Sequence, residues 1–164
     1  MIQSNKANDF EEIVAKNKGL LYKVARSYSY CQEDRRDLIQ EMTLQLWRSI
    51  ESYDSSYKLS TWIYRVAMNT AISFLRSDTS RKKHFVETDI ALLDEPEDTA
   101  NAELMLEIQT ILQTLNKFDR ALFIMHLDGL DYAEISEVLS ISSSNVGTRI
   151  SRIKQSLNKE FNNR

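Results

Sequence analysis

Ser144, Asn145, Thr148, Arg149, Ser151 and Arg152 recur at helical spacing and so share one polar face. Val146, Ile150, Ile153 and Leu157 alternate with them as an apolar stripe. Hydroxyl, amide and guanidinium groups on a solvent-facing helix are those that hydrogen-bond base edges and phosphates. Upstream, Tyr132, Ile135, Val138 and Leu139 line one face of a shorter helix, and the run Ser140-Ile141-Ser142-Ser143 interrupts the two. Helix, break and helix from Asp128 to Leu157 read as a helix-turn-helix, which sets its second helix against DNA.

A second cluster combines polar and apolar groups. Asp37, Gln40, Glu41 and Gln45 share a flank, and Leu38, Leu44 and Trp47 supply apolar anchors of the kind that hold a protein partner. A competing reading puts Leu44 and Trp47 in the core, where aromatics at helical spacing commonly sit.

No catalytic constellation accompanies these clusters. His84 and His126 are 42 positions apart, with no metal-ligand spacing near either. A phosphate-binding glycine loop is absent, and the carboxylates follow solvated helix faces. The sequence therefore predicts no enzyme, cofactor or metal.

The elements that must position these residues are helical. Only three Gly and one Pro occur in 164 residues, and strand-like alternation is nowhere sustained, so the expected fold class is all-α. A first helix spans Asn8 to Tyr30, with a bend expected at Gly19. The polar tract Ser29 to Arg36 holds a turn, and Asp37 to Ile50 forms a helix with a wide apolar set. Glu51 to Leu59 reads as a loop, followed by Ser60 as N-cap of a helix that ends near Arg76 and buries Ile63, Val66, Ala67, Ala71 and Phe74. Further helices start near Asn101 and Asp119, and the tail from Asn158 is expected to fray.

Charge divides the chain further. The formal net charge of −3 is unhelpful for binding DNA. Its distribution is not uniform: Lys58 to Lys83 carries six bases and one acid, Phe85 to Glu103 seven acids and no base, and Ser143 to Arg164 five bases and one acid. Two basic segments flank an acidic one, so DNA contact in two places with weak binding alone is expected. Residues 1–78 and 101–164 read as two small helical domains, with 79–100, which holds Pro96, as an acidic linker. Cys31 is the only cysteine, which excludes an internal disulfide and fits a reducing cytosol. No secretory leader is visible, and no apolar run approaches the ~20 residues of a membrane span. A cytoplasmic protein without membrane insertion is expected.

Three segments, in order, resemble a family. Asp37 to Arg48 (DLIQEMTLQLWR) resembles the helix by which bacterial sigma factors grip core RNA polymerase. Leu59 to Arg76 (LSTWIYRVAMNTAISFLR) resembles the helix that reads the promoter's minus-ten element, and the helix-turn-helix resembles the reader of the minus-thirty-five element. The short, two-domain form is similar to the extracytoplasmic-function group. The resemblance implies polymerase contacts from Asp37, Leu38, Gln40, Glu41, Leu44, Trp47 and Arg48. It implies capture of melted DNA by the loop with Tyr53 and Tyr57, with Lys58, Arg65, Asn69, Ser73 and Arg76 nearby. Aromatic faces stack bases, amides bond them and cations follow the backbone. Arg81, Lys82 and Lys83 meet phosphates in the same picture, or form a solvated basic face. Trp62 is expected in the core. The implied partners are core RNA polymerase, promoter DNA and an anti-sigma factor.

The sequence also departs from the family. Gly147 stands where Lys or Arg is usual, Ser136 where Ala is usual, and Ser140 where the turn normally has Gly. Two rival readings remain: a stand-alone helix-turn-helix regulator that binds duplex DNA as a dimer, and a sigma-like adaptor or anti-sigma mimic that has lost DNA reading.

Overall fold

The computed structural model describes residues 2–77 and 99–163, all helices and short connections. The chain divides into two compact units, Met1–Leu93 and Asp94–Arg164. The basic run Arg81 to Lys83, His84, Pro96 and most of the expected linker lie outside the described residues.

The first unit holds α1 (Ile2–Lys16), α2 (Lys18–Tyr28), α3 (Gln32–Ser49), a 3-10 turn (Ile50–Ser52) and α4 (Leu59–Ser77). One long helix was expected up to Tyr30, with a bend at Gly19. The break instead falls at Asn17, whose side-chain amide donates to the Ile13 carbonyl at 2.8 Å. The same carbonyl accepts from the Asn17 backbone amide at 3.2 Å, so side chain and backbone of Asn17 together close the last turn of α1.

α3 also starts earlier than its apolar pattern suggested. Cys31 is its N-cap, with Sγ accepting from the Asp34 amide at 3.4 Å, so the polar tract 32–36 forms the first turn. Glu33 and Asp34 in that turn suit the positive end of the helix. In α4 the first residue is Leu59, with the Lys58 carbonyl accepting from the Trp62 amide at 3.2 Å. Ser60 is therefore inside the helix, not its cap.

α2, α3 and α4 pack against one another. Leu21, Val24, Ala25 and Tyr28 meet Leu38, Met42 and Leu46, together with Trp62, Ile63, Tyr64, Ala67, Met68, Ala71 and Leu75, all buried. Val66 and Phe74, expected in this core, are only half-buried. Arg35 is buried with its guanidinium 5.6 Å from the Tyr22 ring centroid, an arrangement that softens the cost of desolvating a cation.

The second unit comprises α5 (Thr99–Thr114), α6 (Lys117–Leu127), α7 (Tyr132–Leu139) and α8 (Ser143–Asn162). α5 thus begins two residues before Asn101. Asn116 caps α6, its side-chain oxygen accepting from the amides of Phe118 and Asp119. Arg120 is buried and donates to the carbonyls of Gln113 and Leu115, which ties α6 to the end of α5. α6 buries every residue from Arg120 to Met125, and α7 and α8 pack on it through Ile135, Val138, Val146, Ile150 and Ile153. α8 continues to Asn162, past the point where fraying was expected.

Asp131 and Glu134 form a reciprocal capping box on α7. α7 ends at Ser140, which takes the left-handed conformation with φ 56°. A side chain costs free energy there and glycine avoids the cost. Ser140→Gly is expected to stabilise the second unit by roughly 0.5–1 kcal/mol, the relief of left-handed strain less the extra unfolded-state entropy of glycine. Thermal unfolding of the full chain checks this, and a lower melting temperature would contradict it.

Candidate nucleic-acid interface

The cap on α8 fixes the register of its two faces. Ser142 accepts from the Asn145 amide at 3.1 Å. Val146, Ile150 and Ile153 then turn inward, and Ser144, Asn145, Thr148, Ser151 and Arg152 are exposed on the outer face. The Thr148 hydroxyl donates to the Ser144 carbonyl at 3.0 Å, so it offers a ligand only its lone pairs.

Arg149 departs from the expected arrangement. Its Nη1 lies 2.6 Å from Asp119 Oδ1, and its guanidinium carbon stands 4.8 Å from the Phe118 ring centroid. The side chain is 36% exposed and leans off the outer face onto the start of α6. Asp119 is itself fixed, its Oδ2 accepting from the Asn116 amide at 2.6 Å. Sequence spacing placed Arg149 among the DNA-facing groups because it cannot show which neighbour a long side chain finds.

Gly147 lies against the start of α7: a Cβ there would come within 3.3 Å of the half-exposed Tyr132 ring, a tight contact that a shift of the ring by a few tenths of an ångström relieves. The helix propensity that glycine forgoes there is roughly 1 kcal/mol.

In the first unit, α3 divides its expected partner-binding residues. Leu38 is 0% exposed and belongs to the core, which corrects its expected place on a binding face. Leu44 and Trp47 are 40% and 45% exposed, so the reading that put them in the core fails. Trp47 meets Phe10 of α1 edge-on, centroids 5.0 Å apart. Arg48 is exposed beside it.

Asp37, Gln40 and Glu41 lie one and two turns before Leu44, Trp47 and Arg48 on the same side of α3, at its edge toward α4. With Asn69 and Ser73 they line one open groove of about 900 Å³. Sequence reasoning had assigned these residues to two different partners, and the structure brings them together. Gln45 donates to Glu41 at 2.8 Å across one turn. Ser49, Thr70, Val66 and Phe74 complete the walls and were not anticipated. Their signal was present in the four-residue spacing Asp37, Glu41, Gln45, Ser49 and in Val66, Thr70, Phe74.

The loop before α4 is organised by hydrogen bonds. Asp54 accepts from the Ser56 amide at 2.9 Å, which holds its carboxyl below the usual carboxylate range, and Tyr53 donates through its hydroxyl to the Tyr57 carbonyl at 2.7 Å. The Tyr53 ring also stacks at a tilt on buried Trp62, centroids 5.2 Å apart. Tyr53 therefore braces the loop, while Tyr57 remains 45% exposed with the Arg65 guanidinium 6.0 Å from its ring centroid. Lys58 is exposed next to it, and Arg76 falls in the last turns of α4.

Among the described residues no group of three or more His, Cys, Asp or Glu is placed to hold a metal ion. No described helix is long and apolar enough to cross a membrane. His126 sits between the rings of Phe123 and Tyr132, its pKa pushed down by burial and by the charge of Lys154.

The family model for Sigma-70 region 2 matches residues 13–81, and that for Sigma-70, region 4 matches residues 105–157. The chain is 28% identical over 167 residues to the ECF RNA polymerase sigma factor SigW of Bacillus subtilis, covering 93% of this chain and 88% of that protein. It is 27% identical to the ECF RNA polymerase sigma-E factor of Haemophilus influenzae, over 79% of this chain and 76% of that one. Two solved structures share the fold. CnrH in complex with the cytosolic domain of CnrY gives a TM-score of 0.70 at 19% identity, over 95% of this chain and 89% of that one. The sigma factor RpoE in complex with the anti-sigma factor NepR from Bartonella quintana gives 0.74 at 18%, over 92% and 95%.

Proposed function

Because the chain belongs to the sigma-70 family, as a sigma factor of the extracytoplasmic-function type, we propose how its residues divide the work of transcription initiation. It is an initiation factor that directs core RNA polymerase to promoters. The single observation that carries this is the order of the two matches, region 2 on the first unit and region 4 on the second. A stand-alone helix-turn-helix regulator accounts for the second match and leaves the first without a purpose.

The polymerase grip is assigned to the exposed α3 face of Leu44, Trp47 and Arg48, with Asp37, Gln40 and Glu41 at its polar flank. Trp and Arg are enriched in binding hot spots, and Leu44 adds exposed apolar area beside them. Melted minus-ten DNA is assigned to Tyr57, Lys58 and Arg65, with Asn69, Ser73 and Arg76 along α4. Tyr57 supplies a stacking face, Arg65 and Lys58 supply charge, and Asn69 supplies a donor and an acceptor. Ser144, Asn145, Thr148, Ser151 and Arg152 on α8 are assigned to the minus-thirty-five duplex.

Phosphodiester chemistry belongs to the polymerase, and the place of action is the cytoplasm. An anti-sigma partner that covers one of these faces is part of the proposal, supported by the fold shared with RpoE bound to NepR.

The test is transcription of sheared host genomic DNA by core RNA polymerase with and without the chain, with 5′ ends mapped. New, discrete starts that share two spaced upstream elements are expected only when the chain is present. No new starts, together with dimer binding to duplex DNA without polymerase, would move the reading to the stand-alone regulator.

A further inference from the structure

Five exposed polar residues define the outer face of α8, yet the arginine nearest its middle is held elsewhere. Arg149 lies one turn from both Asn145 and Arg152, so its backbone is placed for a DNA contact. Its guanidinium is engaged on two sides, by Asp119 at 2.6 Å and by the Phe118 ring at 4.8 Å. Asp119 is not a mobile rim carboxylate. It sits in the first turn of α6, where the helix dipole favours negative charge, and its second oxygen is bound by the Asn116 cap. Both carboxylate oxygens are committed, and the side chain is only 20% exposed.

We propose that Asp119 is a specificity-determining residue, which ties Arg149 to α6 and withholds its guanidinium from promoter DNA. Base reading by α8 then rests on Asn145, Ser144 and Arg152, with one positive charge fewer on the DNA face. An arginine that reaches DNA either takes a guanine edge or neutralises a phosphate. Withholding it lowers affinity and frees one position of the site from a guanine preference. This inference rests on the assignment of α8 to duplex DNA.

The experiment uses the full chain assembled with core RNA polymerase and a fluorescein-labelled random-sequence duplex as probe, titrated across salt concentrations. Asp119→Ala is expected to tighten binding several-fold and steepen the log–log salt slope by about 1, the signature of one added phosphate contact. The gain is expected to disappear when Arg149→Ala is combined with it. An equal gain in the Arg149→Ala background would mean that only a repelling charge had been removed, and would overturn the proposal. Weaker binding by Asp119→Ala would also overturn it, since Asp119 would then aim Arg149 at DNA. Should the alanine variant unfold, Asp119→Asn keeps the volume and is judged by the same two results. Arg152→Ala tests separately whether α8 lies on DNA. Lost binding there keeps α8 on DNA whatever Asp119 does, and unchanged binding removes the assignment on which the inference rests.

Discussion

Replacing Leu44 and Trp47 together with Ala is expected to abolish co-elution of the chain with core RNA polymerase while leaving it folded. Both side chains stand on the outside of α3, 40% and 45% exposed, whereas Leu38, Met42 and Leu46 on the opposite side carry the core. Truncating a hot-spot side chain such as Trp47 costs about 2 kcal/mol or more, roughly 30-fold in affinity, and Leu44→Ala removes the apolar surface beside it. The cost to the unit itself is small. Trp47 loses its edge-on contact with Phe10, which is worth about 1 kcal/mol. Circular dichroism and melting of the variant establish that the fold is kept. Retained co-elution of a folded double variant would remove Leu44 and Trp47 from the grip and leave it to the polar residues Asp37, Gln40 and Glu41 beside them.

The apolar periodicity gave away most helices, because the period of a helix is a property of neighbouring residues. It was least informative where side chains compete with the backbone. The first helix breaks at Asn17, whose side chain and backbone both bond the Ile13 carbonyl, and Cys31 and Lys58 began helices that polar spacing had started later. Leu38 shows a related failure. It shares a segment with Leu44 and Trp47, yet only the packing of α2 and α4 decides that it is covered and they are not. The groove between α3 and α4 has the same origin: two segments far apart in sequence each showed a polar flank, and nothing local says that the flanks face each other.

The helix-turn-helix was the most legible part, since its caps, break and stripes all lie within one short stretch. Even there, the pairing of Arg149 was not legible. Its partner Asp119 is 30 positions away, and the guanidinium is long enough to choose between solvent and a neighbouring helix. The neighbour of Gly147 was not legible either, because the Tyr132 ring belongs to a different helix.

The central claim is that one face grips polymerase and another reads the promoter. It is tested most directly by the triple variant Ser144→Ala, Asn145→Ala and Arg152→Ala, assayed for transcript starts on host genomic DNA with core polymerase. None of the three side chains packs in the core, and the cap of α8 is Ser142, so the substitutions leave the fold in place. Each good base contact is worth about 1–3 kcal/mol, so their joint loss is expected to lower promoter-specific initiation by about a hundredfold or more. Co-elution with core polymerase is expected to be unchanged. Starts of undiminished yield at the same positions would contradict the account, because the α8 face would then have no part in choosing the promoter.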